Sequence, residues 1–121
     1  MKKIEAVIRK DKLDAVKNAL SEHGLLHGMS VAEVHAAGGE VGPQVVYRGN
    51  VVPRPYLPRL KLELVASDDE AGAAVECIFD AAYTGEVGDG KIFVGNVDHV
   101  YRIRTGEEVN DLVSSPLSVA R

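Results

Sequence analysis

Two strand–helix–strand patterns follow one another in this chain of 121 residues, and that doubled order limits the fold more than any other feature. Ile4, Ala6 and Ile8 alternate with Lys3, Glu5, Val7 and Arg9, the period of two expected of a half-buried strand. Asp11 is placed to cap a first helix whose apolar stripe is Leu13, Val16, Ala19 and Leu20 and whose stop is Gly24. Val31 and Val34 mark a second strand over residues 29–36, and a long Gly- and Pro-rich segment then runs from residue 37 to about residue 58. Leu60, Leu62 and Leu64 alternate with Lys61, Glu63 and Val65 as a third strand, and Ser67-Asp68-Asp69-Glu70 has the form of a capping box. Ala71, Ala74, Val75, Ile78, Phe79 and Ala82 give the second helix its apolar face. Residues 92–94 form a fourth strand, and residues 97–104 form a further extended piece with Arg102 and Arg104 on one face because they are two apart. This order is the split βαβ arrangement: an α+β, ferredoxin-like βαββαβ fold, with an antiparallel sheet and both helices on one side. The domain is expected over residues 1–111, with a tail at 112–121.

Helices on one side leave the other face of the sheet open, lined by Val7, Val65, Lys3, Glu5, Lys61, Glu63 and Arg102. A valine-bearing face in so small a domain is most simply covered by a symmetric homo-oligomer. Fourteen basic against eighteen acidic residues give a net charge of -4, which argues against a nucleic-acid partner bound through phosphate neutralisation. Cys77 is the one cysteine, so no internal disulfide forms, and its apolar neighbours make it a small buried hydrophobe. No apolar run reaches membrane-spanning length and no signal peptide heads the chain, so a cytoplasmic protein not itself inserted in a membrane is expected.

The run Thr84-Gly85-Glu86-Val87-Gly88-Asp89-Gly90-Lys91-Ile92-Phe93-Val94 reads as an anion cradle. Glycines let backbone N–H groups converge, and the lysine supplies charge beside them. Gly85 to Lys91 fits the spacing of a P-loop, but Ile92 stands where a hydroxyl would hold Mg²⁺, and a helix precedes the loop while a strand follows it. A plain glycine-rich turn is the alternative reading of the loop alone. His23, His27, His35 and His99 show no tight metal-ligand spacing, and no nucleophile–base pair can be assigned, so an enzyme is not expected.

Several runs together resemble the PII signal-transduction family: Met1-Lys2-Lys3-Ile4-Glu5-Ala6 with Lys12-Leu13-Asp14, Gly28-Met29-Ser30-Val31, Tyr47-Arg48-Gly49, Leu57-Pro58, residues 84–94, and Arg102-Ile103-Arg104-Thr105-Gly106-Glu107. The resemblance implies a homotrimer with ATP or ADP in each cleft between neighbouring subunits. It also implies a protruding T-loop at about 38–58 that reports the bound ligand to a target protein, a membrane transporter being one candidate class. By the same likeness, Gly88, Asp89, Gly90 and Lys91 would hold the phosphates, and Arg102 and Arg104 would reach them from the adjoining subunit. Ser30, Glu63 and Val65 would surround the adenine and ribose, and Gly38 and Gly39 would lie at the T-loop base.

The T-loop departs from the family pattern. The chain reads Tyr47-Arg48-Gly49-Asn50-Val51-Val52, and Val52, at the position uridylylated in many bacterial members, has no hydroxyl to modify. Glu40 replaces the glutamine that helps bind Mg²⁺ beside 2-oxoglutarate. A carboxylate suits a hard cation but repels a dianionic acid, so both outcomes stay open. Arg59 replaces the lysine that meets the acid's carboxylate, and a guanidinium can do the same. The resemblance thus implies an adenylate-responsive signalling trimer. The alternatives are a sensor of another small ligand, such as bicarbonate, together with adenine nucleotide, and a metal-binding structural trimer using His35 and His99.

Overall fold

The computed structural model describes residues 1–37, 44–53 and 56–110, with the backbone alone at 44–47 and 50–53. Strand β1 (Lys2–Ile8) is followed by a 3-10 turn (Lys10–Lys12) and helix α1 (Leu13–Glu22). Then come β2 (Ser30–Ala36), β3 (Gln44–Tyr47), β4 (Asn50–Pro53), β5 (Leu57–Ala66), α2 (Asp68–Ala82) and β6 (Lys91–Asn96). The main sheet has the order β2-β5-β1-β6 and every neighbouring pair is antiparallel, which is the ferredoxin-like topology. The helices pack on each other and on the sheet face that carries Ile4, Ala6, Ile8, Leu62, Leu64 and Ala66. The alternation in β1 and β5 therefore sorts side chains as expected, the leucines and isoleucines inward.

Helix ends follow local chemistry. The Leu25 N–H donates to Leu20 O at 2.8 Å and the Gly24 N–H to Ser21 O at 3.1 Å, with Gly24 at φ +66°. That is a Schellman stop, sealed by the buried pair Leu20 and Leu25. The expectation for Asp11 fails: it lies inside the 3-10 turn, and α1 begins after Lys12 with no side-chain cap. Ser67 does cap α2, its Oγ accepting the Glu70 N–H at 3.3 Å. Phe79 does not join the core; it is 57% exposed and stacks on Tyr83, while Cys77 takes a buried place on the inner face.

Three further expectations are corrected. Part of the long segment is regular: β3 and β4 form a hairpin in which Tyr47 pairs with Asn50 across Arg48 and Gly49. Both turn residues have positive φ, +51° and +79°, the geometry of a type I′ turn that matches strand twist. β5 also starts earlier than its leucine alternation, and Pro58 is tolerated there because β5 faces only β2 at that point; pairing with β1 begins at Leu60. Finally, residues 97–104 are not one extended piece. The chain turns at 103–105 and folds back, with the Gly106 N–H on Arg102 O at 2.8 Å and the Arg102 N–H on Glu107 O at 2.9 Å. Alternation therefore does not govern Arg102 and Arg104: the first is half-buried, the second exposed. Gly38, Gly39, Glu40 and the tail at 112–121 lie outside the described residues.

Candidate functional site

The loop between α2 and β6 is built around one carboxylate. Asp89 accepts the N–H groups of Thr84 at 2.8 Å and Gly85 at 2.9 Å, the Thr84 hydroxyl, and Arg9 Nε at 3.0 Å. The hydroxyl and N–H of Thr84, with help from Arg9 and Gly85, hold the Asp89 carboxyl far below the usual carboxylate range. The same arginine donates from Nη2 to Val87 O at 2.9 Å, and Arg59 Nε donates to Gly88 O at 3.3 Å. Gly88 and Gly90 have φ of +99° and +100°. A Cβ on Gly90 would stand 1.7 Å from the Val7 carbonyl oxygen, so only glycine lets the loop lie this close to β1. Asp89 is thus a clamp that shapes the cradle, and Lys91 opens β6 with its side chain exposed.

A separate cleft of about 400 Å³ opens at the β2–β5 side. Ser30, Glu63, Val65 and Arg102 line it together with Lys3 and His27. Register explains the grouping: Ser30 on β2 faces Glu63 on β5, and Val65 on β5 faces Lys3 on β1. Glu63 pairs with Lys61 at 3.2 Å and Lys3 at 3.5 Å, and the hydrogen bond from Lys61 and the charge of Lys3 lower its pKa. Arg102 is supplied by the folded-back segment, which is fastened by the Val109 N–H on Val100 O at 2.7 Å and by His99 Nδ1 with Glu108 Oε1 at 2.7 Å. That carboxylate raises the pKa of His99. At the tip, Ile103 is 99% exposed and Arg104 points no side chain into the cleft's lining.

One chain therefore brings Ser30, Glu63, Val65 and Arg102 together but leaves Gly88, Asp89, Gly90 and Lys91 elsewhere, beside a smaller groove of about 150 Å³ edged by Phe79 and Tyr83. Comparison with known proteins gives this geometry its context. The family model for nitrogen regulatory protein P-II matches residues 1–107. The chain belongs to the P-II family. A "Nitrogen regulatory protein P-II" of Rhizobium meliloti is 50% identical over 93% of this chain and all of its own length. The protein of that name from Pasteurella multocida is 46% identical over the same shares. "Nitrogen regulatory protein P-II 2" of Methanothermobacter thermautotrophicus is 49% identical over 88% of this chain and 92% of its own. P-II proteins are signalling regulators, and this chain is a signalling protein of the P-II type.

Two residues of this P-II site region carry roles that sequence pattern did not single out. Arg9 looked like one polar member of an alternating strand, yet it ties the end of β1 to Asp89, eighty residues away. His27 entered only as one of four histidines without metal-ligand spacing, yet its side chain is only 13% exposed and it lines the cleft. Among the described residues no three His, Cys, Asp or Glu side chains cluster as metal ligands, and no helix is long and apolar enough to cross a membrane.

Proposed function

We propose that the chain works as a cytoplasmic homotrimer that binds ATP or ADP between subunits and signals to a target protein through residues 38–58. The observation that carries this reading is the division of the site. Ser30, Glu63, Val65 and Arg102 frame a cleft large enough for a nucleoside, while Asp89, Gly90 and Lys91 of the glycine cradle line a different groove of the same chain. A neighbouring copy would bring its cradle to this cleft, so that Lys91, Arg102 and Arg104 balance the charge of a di- or triphosphate alongside backbone donors. Binding would then depend on assembly. Gly38 and Gly39 would stand at the base of the signalling loop, and Mg²⁺ bound with ATP would suit the carboxylate of Glu40. Val52 offers no acceptor for uridylylation, so output would follow ligand state alone.

Calorimetric titration with ATP and ADP tests this. Lys91→Ala and Arg104→Ala should each weaken binding roughly tenfold or more, as expected for loss of a charged hydrogen bond, while light scattering still reports three chains. Normal binding by both variants would sink the proposal.

A second ligand is favoured by one further observation. The guanidinium groups of Arg9 and Arg59 converge on Gly88, their Nη2 atoms 3.4 and 3.1 Å from where its Cβ would be. Such a pair beside the phosphate cradle suits a small anion. Repeating the titration with Mg-ATP and either 2-oxoglutarate or bicarbonate decides which one: heat from the first makes the protein a carbon and nitrogen sensor, and heat from the second alone places it outside nitrogen control.

A further inference from the structure

His27 and Glu70 form a unit that the arrangement described so far does not use. Glu70 occupies the third position of α2, where a capping box would turn its side chain back to the Ser67 N–H. Instead its Oε2 lies 3.0 Å from His27 Nε2. The Glu70 backbone N–H is held by Ser67 Oγ, so the carboxylate projects from a fixed helix start. His27 precedes Gly28, whose φ of +106° turns the chain into Met29 and Ser30, and all four residues line the cleft.

A carboxylate only accepts, so the ring nitrogen that meets it carries a proton. In the neutral ring this fixes the Nε2–H tautomer and leaves Nδ1 as an acceptor. Nδ1 has no protein partner among the described residues, and no buried side-chain nitrogen or oxygen there lacks one. Nδ1 is therefore open to solvent, and His27 is one of the residues that line the cleft. An acceptor at that position matches the exocyclic amino group of adenine and opposes the carbonyl that guanine or hypoxanthine has at the same carbon.

We propose that His27, set in one tautomer by Glu70, is a specificity-determining residue that selects a 6-aminopurine over a 6-oxopurine. The inference rests on the nucleotide reading of the cleft. It is tested by titrating the full-length protein with ATP and with ITP, which differs at that carbon. The unmodified protein should prefer ATP by roughly tenfold or more. Glu70→Gln offers the ring both an amide oxygen and an amide N–H, so the tautomer is no longer fixed and the preference should shrink, mainly by weakening ATP. His27→Leu should reduce it likewise while leaving ITP nearly unchanged. A role in packing alone would weaken both nucleotides together, so an unchanged ATP-to-ITP ratio in both variants overturns the inference and leaves the nucleotide site standing. Absence of binding by either nucleotide to the unmodified protein overturns both.

Discussion

Gly24 and Gly90 both hold a positive φ, but for different reasons, and substitution should separate them. Nothing lies within 4 Å of a Cβ built on Gly24, so Gly24→Ala costs only the left-handed backbone, about 1 kcal/mol. At Gly90 the Cβ meets the Val7 carbonyl, and Gly90→Ala should cost at least about 2 kcal/mol and displace the loop from β1. Denaturant titration of the two variants checks the order; equal losses would show that the contact with β1 is unimportant. Asp89 offers a second test. Its pKa is lowered by folding, so its contribution is fully present above the ordinary aspartate value of about 3.9 and is lost progressively as pH falls below it. Asp89→Asn should therefore lower Tm at pH 7, and the gap from the unmodified protein should begin to narrow as pH falls below about 3.9. A gap that stays constant with pH would mean that the carboxylate's charge does not hold the loop.

Helices and strands were legible wherever one local rule decided them. Ser67 announced α2 because a hydroxyl before three acidic residues has one favourable use, whereas Asp11 misled because the chain takes a 3-10 turn before α1 begins. Phe79 fitted the helical period, but the period marks a stripe without fixing its edge, and the stripe here ends at Ile78 and Ala82. The β3–β4 hairpin had its glycine in the sequence, yet Arg48 in the left-handed region concealed the turn, since asparagine or aspartate is the usual occupant. The glycine cradle and Arg102 were visible as motifs. Their separation within one chain was implied by the family resemblance, which gives Arg102 to the adjoining subunit, but not by local periodicity, because it depends on pairings such as Arg9 with Asp89 and on the fold-back at 103–105.

The open sheet face joins the pieces. Glu5 and Glu63 stand opposite each other in register, and Lys61 and Lys3 lie close enough to neutralise them. Beside Glu5 on β6 stands Phe93, half exposed, and Ile103 leaves further apolar surface uncovered on the isolated chain. Surface of this kind is what the proposed trimer would bury. Phe93→Glu should convert the assembly to single chains by light scattering and abolish nucleotide binding with it, since each cleft would lose its neighbour's cradle. A trimer that survives this change would put the interface elsewhere.

Ala36 and Leu57 face each other across β2 and β5. Residues 37–56 thus leave and rejoin the sheet at a single rung. Doubling such an insertion costs only about 0.6 kcal/mol in closure entropy. Evolution can lengthen, shorten or reword it while the proposed ligand site below stays in register. On the proposed function, a lineage with this topology can re-address its message to a new recipient and keep the receiver it already has.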